Sequence, residues 1–134
     1  MKLTGRCYCG EVNYVAEGDP VLRAQCHCRE CQYIAGGAPN LFIAMPVERF
    51  SYTKGKPKQF TRSDLSAPMT REFCPNCGTH LTTLPPGWPV AVVKVGTLDD
   101  PSLFGGPDVA IHAVEKQKYH TIAEGVQAFD HLPG

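Results

Sequence analysis

Cys26-His27-Cys28-Arg29-Glu30-Cys31 places three thiols within six residues, as an overlapping C-x-C and C-x-x-C. A segment this short can fold all three sulfurs around one point. Three thiolates occupy three corners of a tetrahedron and leave the fourth open. Zinc sites with three protein ligands and an open position are catalytic, whereas sites with four protein ligands are structural. The reading of the chain turns on what fills that corner and on where the remaining cysteines go.

Cys74-Pro75-Asn76-Cys77-Gly78 is a second motif, a C-x-x-C knuckle followed by glycine. The glycine permits a positive-φ turn that aims backbone N–H groups at the sulfurs. A knuckle supplies two ligands and needs another pair to close a structural site. Two partitions are open. If Cys26, Cys28 and Cys31 chelate as a local triad, then Cys7, Cys9, Cys74 and Cys77 add up to one closed site. If Cys28, Cys31, Cys74 and Cys77 close a site instead, Cys7, Cys9 and Cys26 are stranded. The compactness of the triad favours the first partition. A closed zinc site contributes about 10 kcal/mol or more of folding free energy in small domains.

Composition narrows the class. The chain has 134 residues, read as one domain over 1–134 with a core of its own. Lys+Arg and Asp+Glu both number 13, so no basic field exists to hold a nucleic-acid backbone. The 13 Gly and 12 Pro predict many turns and short elements. Met1 to Cys7 contains no apolar run of signal-peptide length, and no stretch approaches a membrane span. The expected compartment is the cytoplasm, where thiols stay reduced. Seven cysteines in this spacing then favour metal over disulfides.

The periodicity predicts a small, mainly β fold of about eight short strands, with single helical turns. Thr4 to Gly10 reads as a C-x-C turn, Glu11–Ala16 and Val21–Gln25 as strands, and Cys28–Ile34 as a helical turn ended by Gly36-Gly37. Asn40–Met45 is an apolar strand, and Pro46 opens one helical turn. Phe50–Thr53 and Lys58–Arg62 flank Lys54-Gly55-Lys56-Pro57 and read as a hairpin. His80–Leu84, Val90–Val95 and Val109–Val114 are further strands, and the tail from Lys116 reads as irregular.

Four segments together carry a family resemblance: Gly5 to Gly10, Cys26 to Gln32, Phe73 to Gly78, and Gly96-Thr97-Leu98-Asp99-Asp100-Pro101. From Thr4 to about Ile122 the chain resembles the glutathione-dependent formaldehyde-activating (GFA) enzymes, a family that includes centromere protein V-like proteins. The resemblance implies a β-tent-type fold of several coiled antiparallel sheets and two zinc ions per chain. It matches Cys7, Cys9, Cys74 and Cys77 to a structural zinc, and Cys26, Cys28 and Cys31 to a catalytic zinc. It also implies carbon–sulfur lyase chemistry, the reversible addition of glutathione to formaldehyde. Ala110-Ile111 and Lys118-Tyr119 stand where many members carry His-Ile and Pro-Trp.

The chemistry follows from the ligands as well. Zinc held by three thiolates suits a substrate thiol as fourth ligand, because coordination deprotonates a thiol outright. A free thiol, with a pKa near 8.5, is mostly protonated at neutral pH. A thiolate held beside a small aldehyde attacks the carbonyl carbon and yields a hemithioacetal. The expected partners are a small-molecule thiol and an aldehyde, with no nucleic acid and no membrane. The alternative is a non-catalytic zinc module with both sites structural. Around the triad, His27, Arg23, Arg29 and Gln32 are candidate pocket groups, each set against a bland role as surface or packing. His80 reads as a strand-face residue and Trp88 as a packer, while His112, His120 and His131 read as structural or surface. Asp99 and Asp100 read as a turn or cap before Pro101.

Overall fold

The computed structural model describes residues Met1–Pro133. Among the described residues the fold is mainly β, with eleven strands, one short α-helix and a few single 3₁₀ turns. The strands are β1 (Lys2–Arg6), β2 (Asn13–Glu17), β3 (Leu22–Cys26), β4 (Asn40–Pro46), β5 (Phe50–Lys54) and β6 (Lys58–Thr61). They continue as β7 (Thr70–Phe73), β8 (His80–Leu84), β9 (Val90–Lys94), β10 (Val109–Ile111) and β11 (Gln127–Ala128). The helix α1 is Arg29–Ile34. No helix among the described residues is long and apolar enough to cross a membrane.

A three-stranded sheet has the order β1-β2-β5, and an eight-stranded sheet the order β11-β10-β3-β4-β9-β8-β7-β6. All pairings are antiparallel except those of β10, which runs parallel to both β3 and β11. The centre of the large sheet is apolar on both faces, which is why Asn40–Met45 and Val90–Val95 read as nearly unbroken apolar runs. Ile43, Met45 and Val93 meet Leu3, Tyr14 and Ala16 of the small sheet. Phe42, Ala44, Val90 and Val92 face the other way, towards Ala24, Cys26, Cys31 and Ile111. The triad cysteines therefore belong to one face of the large sheet, and the small sheet packs on the opposite face. A third cluster, Cys7, Val12, Cys74 and Leu81, joins the two sheets at the knuckles.

The expected hairpin from Phe50 to Arg62 does not form. β5 pairs with β2 in the small sheet, while β6 pairs with β7 at the edge of the large one. The reason is side-chain burial. Phe50 stacks on Tyr14 with ring centroids 5.3 Å apart, and Tyr52 meets Phe50 edge-on at 5.0 Å. Those contacts draw β5 into the core shared by the sheets. β6 is exposed along its length and has no such anchor. The other differences are the added strands β1, β7 and β11, and the ending of the expected Val109–Val114 strand at Ile111. β1 covers Lys2–Arg6, where only a turn was expected, and β11 orders part of the tail.

Gly5 shows how tightly the small sheet sits. It forms an isolated bridge with Leu98, and the Asp99 N–H donates to the Thr4 carbonyl at 2.9 Å. A Cβ at Gly5 would collide with the Tyr14 hydroxyl and the Thr97 carbonyl oxygen. That hydroxyl is already fixed by Thr97 Oγ1 at 2.8 Å, and Thr97 Oγ1 donates to the Lys94 carbonyl at 2.7 Å. The Gly5→Ala variant is expected to lose about 1–3 kcal/mol of stability through overpacking. A denaturant midpoint equal to that of the native chain would contradict this packing.

Candidate metal centres

Two groups of sulfurs converge. Cys7, Cys9, Cys74 and Cys77 form one, and Cys26, Cys28 and Cys31 the other, with the ligand atoms of each within 4.8 Å of one another. This is the first of the two partitions that the spacing left open. Cys28 and Cys31 do not join Cys74 and Cys77, and no thiol is stranded.

The four-sulfur group is assembled from two turns. Cys7 and Cys9 lie between β1 and β2, and Cys74 and Cys77 between β7 and β8. Backbone N–H groups point at the sulfurs from both sides. Val12 N–H donates to Cys7 Sγ at 3.3 Å, and Asn76 and Cys77 N–H groups donate to Cys74 Sγ at 3.4 and 3.5 Å. Gly78 takes φ +79°, as the knuckle requires. The Thr79 hydroxyl lies 3.1 Å from Cys77 Sγ and, with its backbone, pulls that thiol down to about 5. Such donors stabilise thiolates, the form that binds metal.

The three-sulfur group is built by β3 and α1. β3 ends at Cys26, α1 begins at Arg29, and Cys31 lies in the helix. Cys28 caps the helix, its sulfur accepting from the Cys31 N–H at 3.3 Å. Asn40, opposite Cys26 in the β3–β4 register, places its amide 3.8 Å from Cys31 Sγ. Cys26 and Cys31 are buried and Cys28 is half-buried, so the cluster meets solvent on the Cys28 side. Hydrogen bonds from Cys26 and Cys31 pull the Cys28 thiol down to about 2. The bond to Cys28 is then the chief influence raising Cys26. For Cys31 the largest influence, its bond with Cys26, lowers the value, but Cys28 and burial outweigh it and hold the thiol at about 11. The first negative charge thus settles on Cys28 and repels a second. A divalent cation removes that conflict by neutralising all three. Among the described residues no fourth His, Cys, Asp or Glu atom joins the triad.

Lys94 is a feature that periodicity did not expose. It ends the buried strand β9 and is only 8% exposed. Its Nζ donates to Thr83 Oγ1 at 2.7 Å, and no carboxylate pairs with it among the described residues. Burial pushes its ammonium down to about 8; Cys31 resists that, Arg71 adds to it, and Cys26 and Cys28 resist it. The charges that favour this buried ammonium are those of Cys31, Cys26 and Cys28, which fits a cluster with net negative charge. Three thiolates around one divalent cation carry such a charge, so the residues present fit a zinc ion.

Among the remaining candidates, His27, His120, Gln32 and Asp100 act as supports. His27 is fully buried and turned onto His120, with the two Nδ1 atoms 3.0 Å apart. The Gln117 N–H donates to His120 Nδ1 at 3.2 Å, and His120 Nε2 lies 2.7 Å from the Gly37 carbonyl. His120 therefore carries its proton on Nε2, and His27 donates from Nδ1. The Gln25 amide completes the pattern by donating to His27 Nε2 at 2.9 Å and to the Thr121 carbonyl at 3.1 Å. Burial, followed by His120 and Lys116, pushes His27 below its ordinary value. The pair pins residues 117–121 to the ligand loop. His120 was expected as structural or surface and is a buried structural residue. Gln32 is also a clamp. Its amide donates to the carbonyls of His27 at 2.8 Å and Glu115 at 3.1 Å, and its Oε1 accepts from Arg29 Nη1 at 2.6 Å. Arg29 also lies over the Tyr33 ring, 5.1 Å from its centroid. Asp100 caps the 3₁₀ turn Pro101–Phe104 by accepting from Ser102, as its position before Pro101 suggested.

Two outcomes test this arrangement. Cys28→Ser is expected to bind one zinc per chain and still unfold cooperatively, whereas Cys7→Ser or Cys77→Ser loses the fold; metal analysis and circular dichroism read both. Lys94→Met is expected to weaken zinc retention at the triad about 10- to 100-fold, the scale of lost supporting contacts. The four-sulfur site should be unchanged in that variant, as followed by competition with a chromophoric chelator. Equal loss at both sites would remove Lys94 from this role.

The comparisons with known proteins agree with the architecture. A crystal structure of a Rhodobacter sphaeroides protein, solved as a structural-genomics target, superposes with a TM-score of 0.59 at 18% identity. The match covers 78% of this chain and 96% of that one, and shows a shared fold. No curated protein matches the sequence. The family model described as glutathione-dependent formaldehyde-activating enzyme matches residues 2–115, most of the chain, and the protein belongs to that family.

Proposed function

We propose that the protein is a zinc-dependent carbon–sulfur lyase, joining a glutathione-like thiol reversibly to a small, formaldehyde-like aldehyde at the Cys26–Cys28–Cys31 centre. The observation that carries this reading is the contrast between the two clusters in a chain of this family. One offers four sulfurs and the other three, with no fourth protein ligand among the described residues. A closed site and an open one are the structural and catalytic patterns of zinc.

Zinc bound by the three cysteines supplies one thing, the conversion of a substrate thiol into a thiolate at neutral pH. The chain's own residues do the rest. Cys26 and Cys31 lie in the core, so the reacting sulfur approaches along the Cys28 side. Asn40 steadies Cys31 through its amide. Lys94 offsets the negative charge that grows when a fourth sulfur arrives. The His27–His120 pair and the Gln32 clamp hold the ligand loop in one conformation. Positioning of this kind lowers the entropic cost of bringing two reactants together. In the forward direction the thiol gives up its S–H proton, sulfur bonds to the carbonyl carbon as the C=O π bond opens, and the oxygen takes up one proton in exchange. The reverse step breaks the same bond and returns thiol and aldehyde.

Exchange NMR of formaldehyde with glutathione tests the reading. The native protein is expected to speed the exchange beyond the uncatalysed rate, and Cys28→Ser to return it to that background. Equal rates for the two proteins would refute the enzymatic role.

A further inference from the structure

The chain passes the triad a second time, just after β10. This strand runs parallel to β3 with Ile111 opposite Cys26, and the Ile111 carbonyl accepts from the His27 N–H at 3.0 Å. Further on, Glu115 Oε1 accepts from the Arg29 N–H at 3.0 Å, and the Glu115 carbonyl accepts from the Gln32 amide at 3.1 Å. Residues 112–114 are therefore strung past Cys28 between fixed points on either side of it. Cys28 is the half-buried ligand through which the triad meets solvent.

His112 is the first of these residues. Its backbone is left-handed, with φ +52° and ψ +38°, the one positive φ outside glycine among the described residues. Such a conformation is uncommon for a residue with a side chain, and it persists where the surroundings over-determine it, often at functional sites. Here the surroundings are explicit. The His112 N–H donates to the His131 carbonyl at 2.9 Å, the His112 carbonyl accepts from the Glu115 N–H at 3.1 Å, and the Ala113 N–H donates to the Phe129 carbonyl at 2.9 Å. The ring is half-buried, and the His131 ring meets it at 74° with centroids 6.2 Å apart. Among the described residues no hydrogen bond takes either of its ring nitrogens, whereas those of His27 and His120 are bound within the fold. Behind the bonds from Cys26 and Cys31, the charge of His112 is among the influences that lower Cys28.

We propose that His112 is a catalytic residue of the thiol–aldehyde reaction, holding the proton of the thiol while sulfur and carbon join and then giving it to the oxygen. The proposal rests on the thiol–aldehyde reading of the triad. That reaction moves one proton from sulfur to oxygen, and imidazole is the side chain best suited to gain and lose a proton near neutral pH. The carboxylate nearest along this segment, Glu115, is committed to the Arg29 N–H. In the forward direction an unprotonated nitrogen of the His112 ring takes the S–H proton. The sulfur's electron pair forms the bond to the carbonyl carbon, the C=O π pair moves onto oxygen, and the ring hands its proton to that oxygen. The ring ends as it began, and no oxidant or reductant is consumed. In reverse the ring takes the O–H proton, the carbon–sulfur bond breaks, and the sulfur recovers the proton. The fixed left-handed backbone keeps the ring beside the corner where both atoms react.

His112→Gly and His112→Asn test the proposal, because both residues accept a left-handed backbone. Each variant is expected to fold and to hold as much zinc as the native chain. Glutathione, without aldehyde, is titrated into the zinc-loaded, full-length proteins in buffers of different ionisation enthalpy, so that calorimetry counts the protons released. His112→Gly should release about one proton per thiol bound, and the native protein fewer, because the ring keeps part of it. Exchange NMR with formaldehyde then reads the transfer. The protein-dependent part of the exchange should fall about 100-fold in either variant, the scale of a lost acid–base group. Added imidazole should restore part of that rate in His112→Gly, where the space of the ring is vacant, and not in His112→Asn. Equal proton release, failure of imidazole to restore the rate, or loss of the triad zinc from His112→Gly would each overturn the proposal. Glutathione binding with equal proton release removes His112 alone, whereas no binding of glutathione to the native protein removes the thiol reading and this role with it.

Discussion

The structure depends on bringing mutually repelling sulfur groups together. Thiols resist sharing a small volume once one of them ionises: the bonds among Cys26, Cys28 and Cys31 pull Cys28 down while Cys26 and Cys31 are raised. The chain answers the repulsion locally. It aims backbone N–H groups at Cys7, Cys28 and Cys74, sets an amide beside Cys31, and buries Lys94 where the charges of the triad sulfurs favour its ammonium. None of these donors replaces a metal ion. Together they describe a fold whose interior is prepared for negative charge at two places, where a divalent cation would complete the balance.

The two clusters differ in what they connect. Cys7 and Cys9 precede the small sheet's second strand, and Cys74 and Cys77 join two strands of the large sheet, so the four-sulfur group spans both sheets. The three-sulfur group draws all its thiols from a single strand–helix turn on one face of the large sheet. A site built from distant segments acts as a cross-link, whereas a site built from one turn can be altered without separating the sheets. The proposed division into one structural and one reactive centre rests on this difference in connectivity. It also explains why the triad needs outside support. The His27–His120 pair, the Gln25 and Gln32 amides and the Glu115 carbonyl bind the ligand loop to a tail that has little regular structure of its own.

Legibility followed sequence distance. Cys26, Cys28 and Cys31 are within one turn of each other, so their convergence is a property of the local chain. β8 was readable to its ends because His80–Leu84 is a short run bounded by turn residues. The stretch Phe50–Thr61 was misread because a polar, glycine-containing linker between two β-prone runs looks like a hairpin whether or not the runs pair. What separates them is the packing of Phe50 and Tyr52 against Tyr14, a contact with a strand more than thirty residues earlier. His27 was visible as a residue between ligands, but its partner lies at position 120, and no local pattern links the two.

By itself, the sequence determined the Cys26–Cys28–Cys31 cluster, the mainly β class and the family resemblance, because each rests on short-range spacing or on residue type. Only the tertiary structure decided that the strands divide into sheets of three and eight, that Lys94 lies buried beside the triad, and that Lys58, Phe60 and Arg71 face α1 across one cleft. Those arrangements come from strand register and from side chains meeting across the sheet. Register is settled by the burial of a whole face at once, and that is a property of the assembled sheet, not of any single segment.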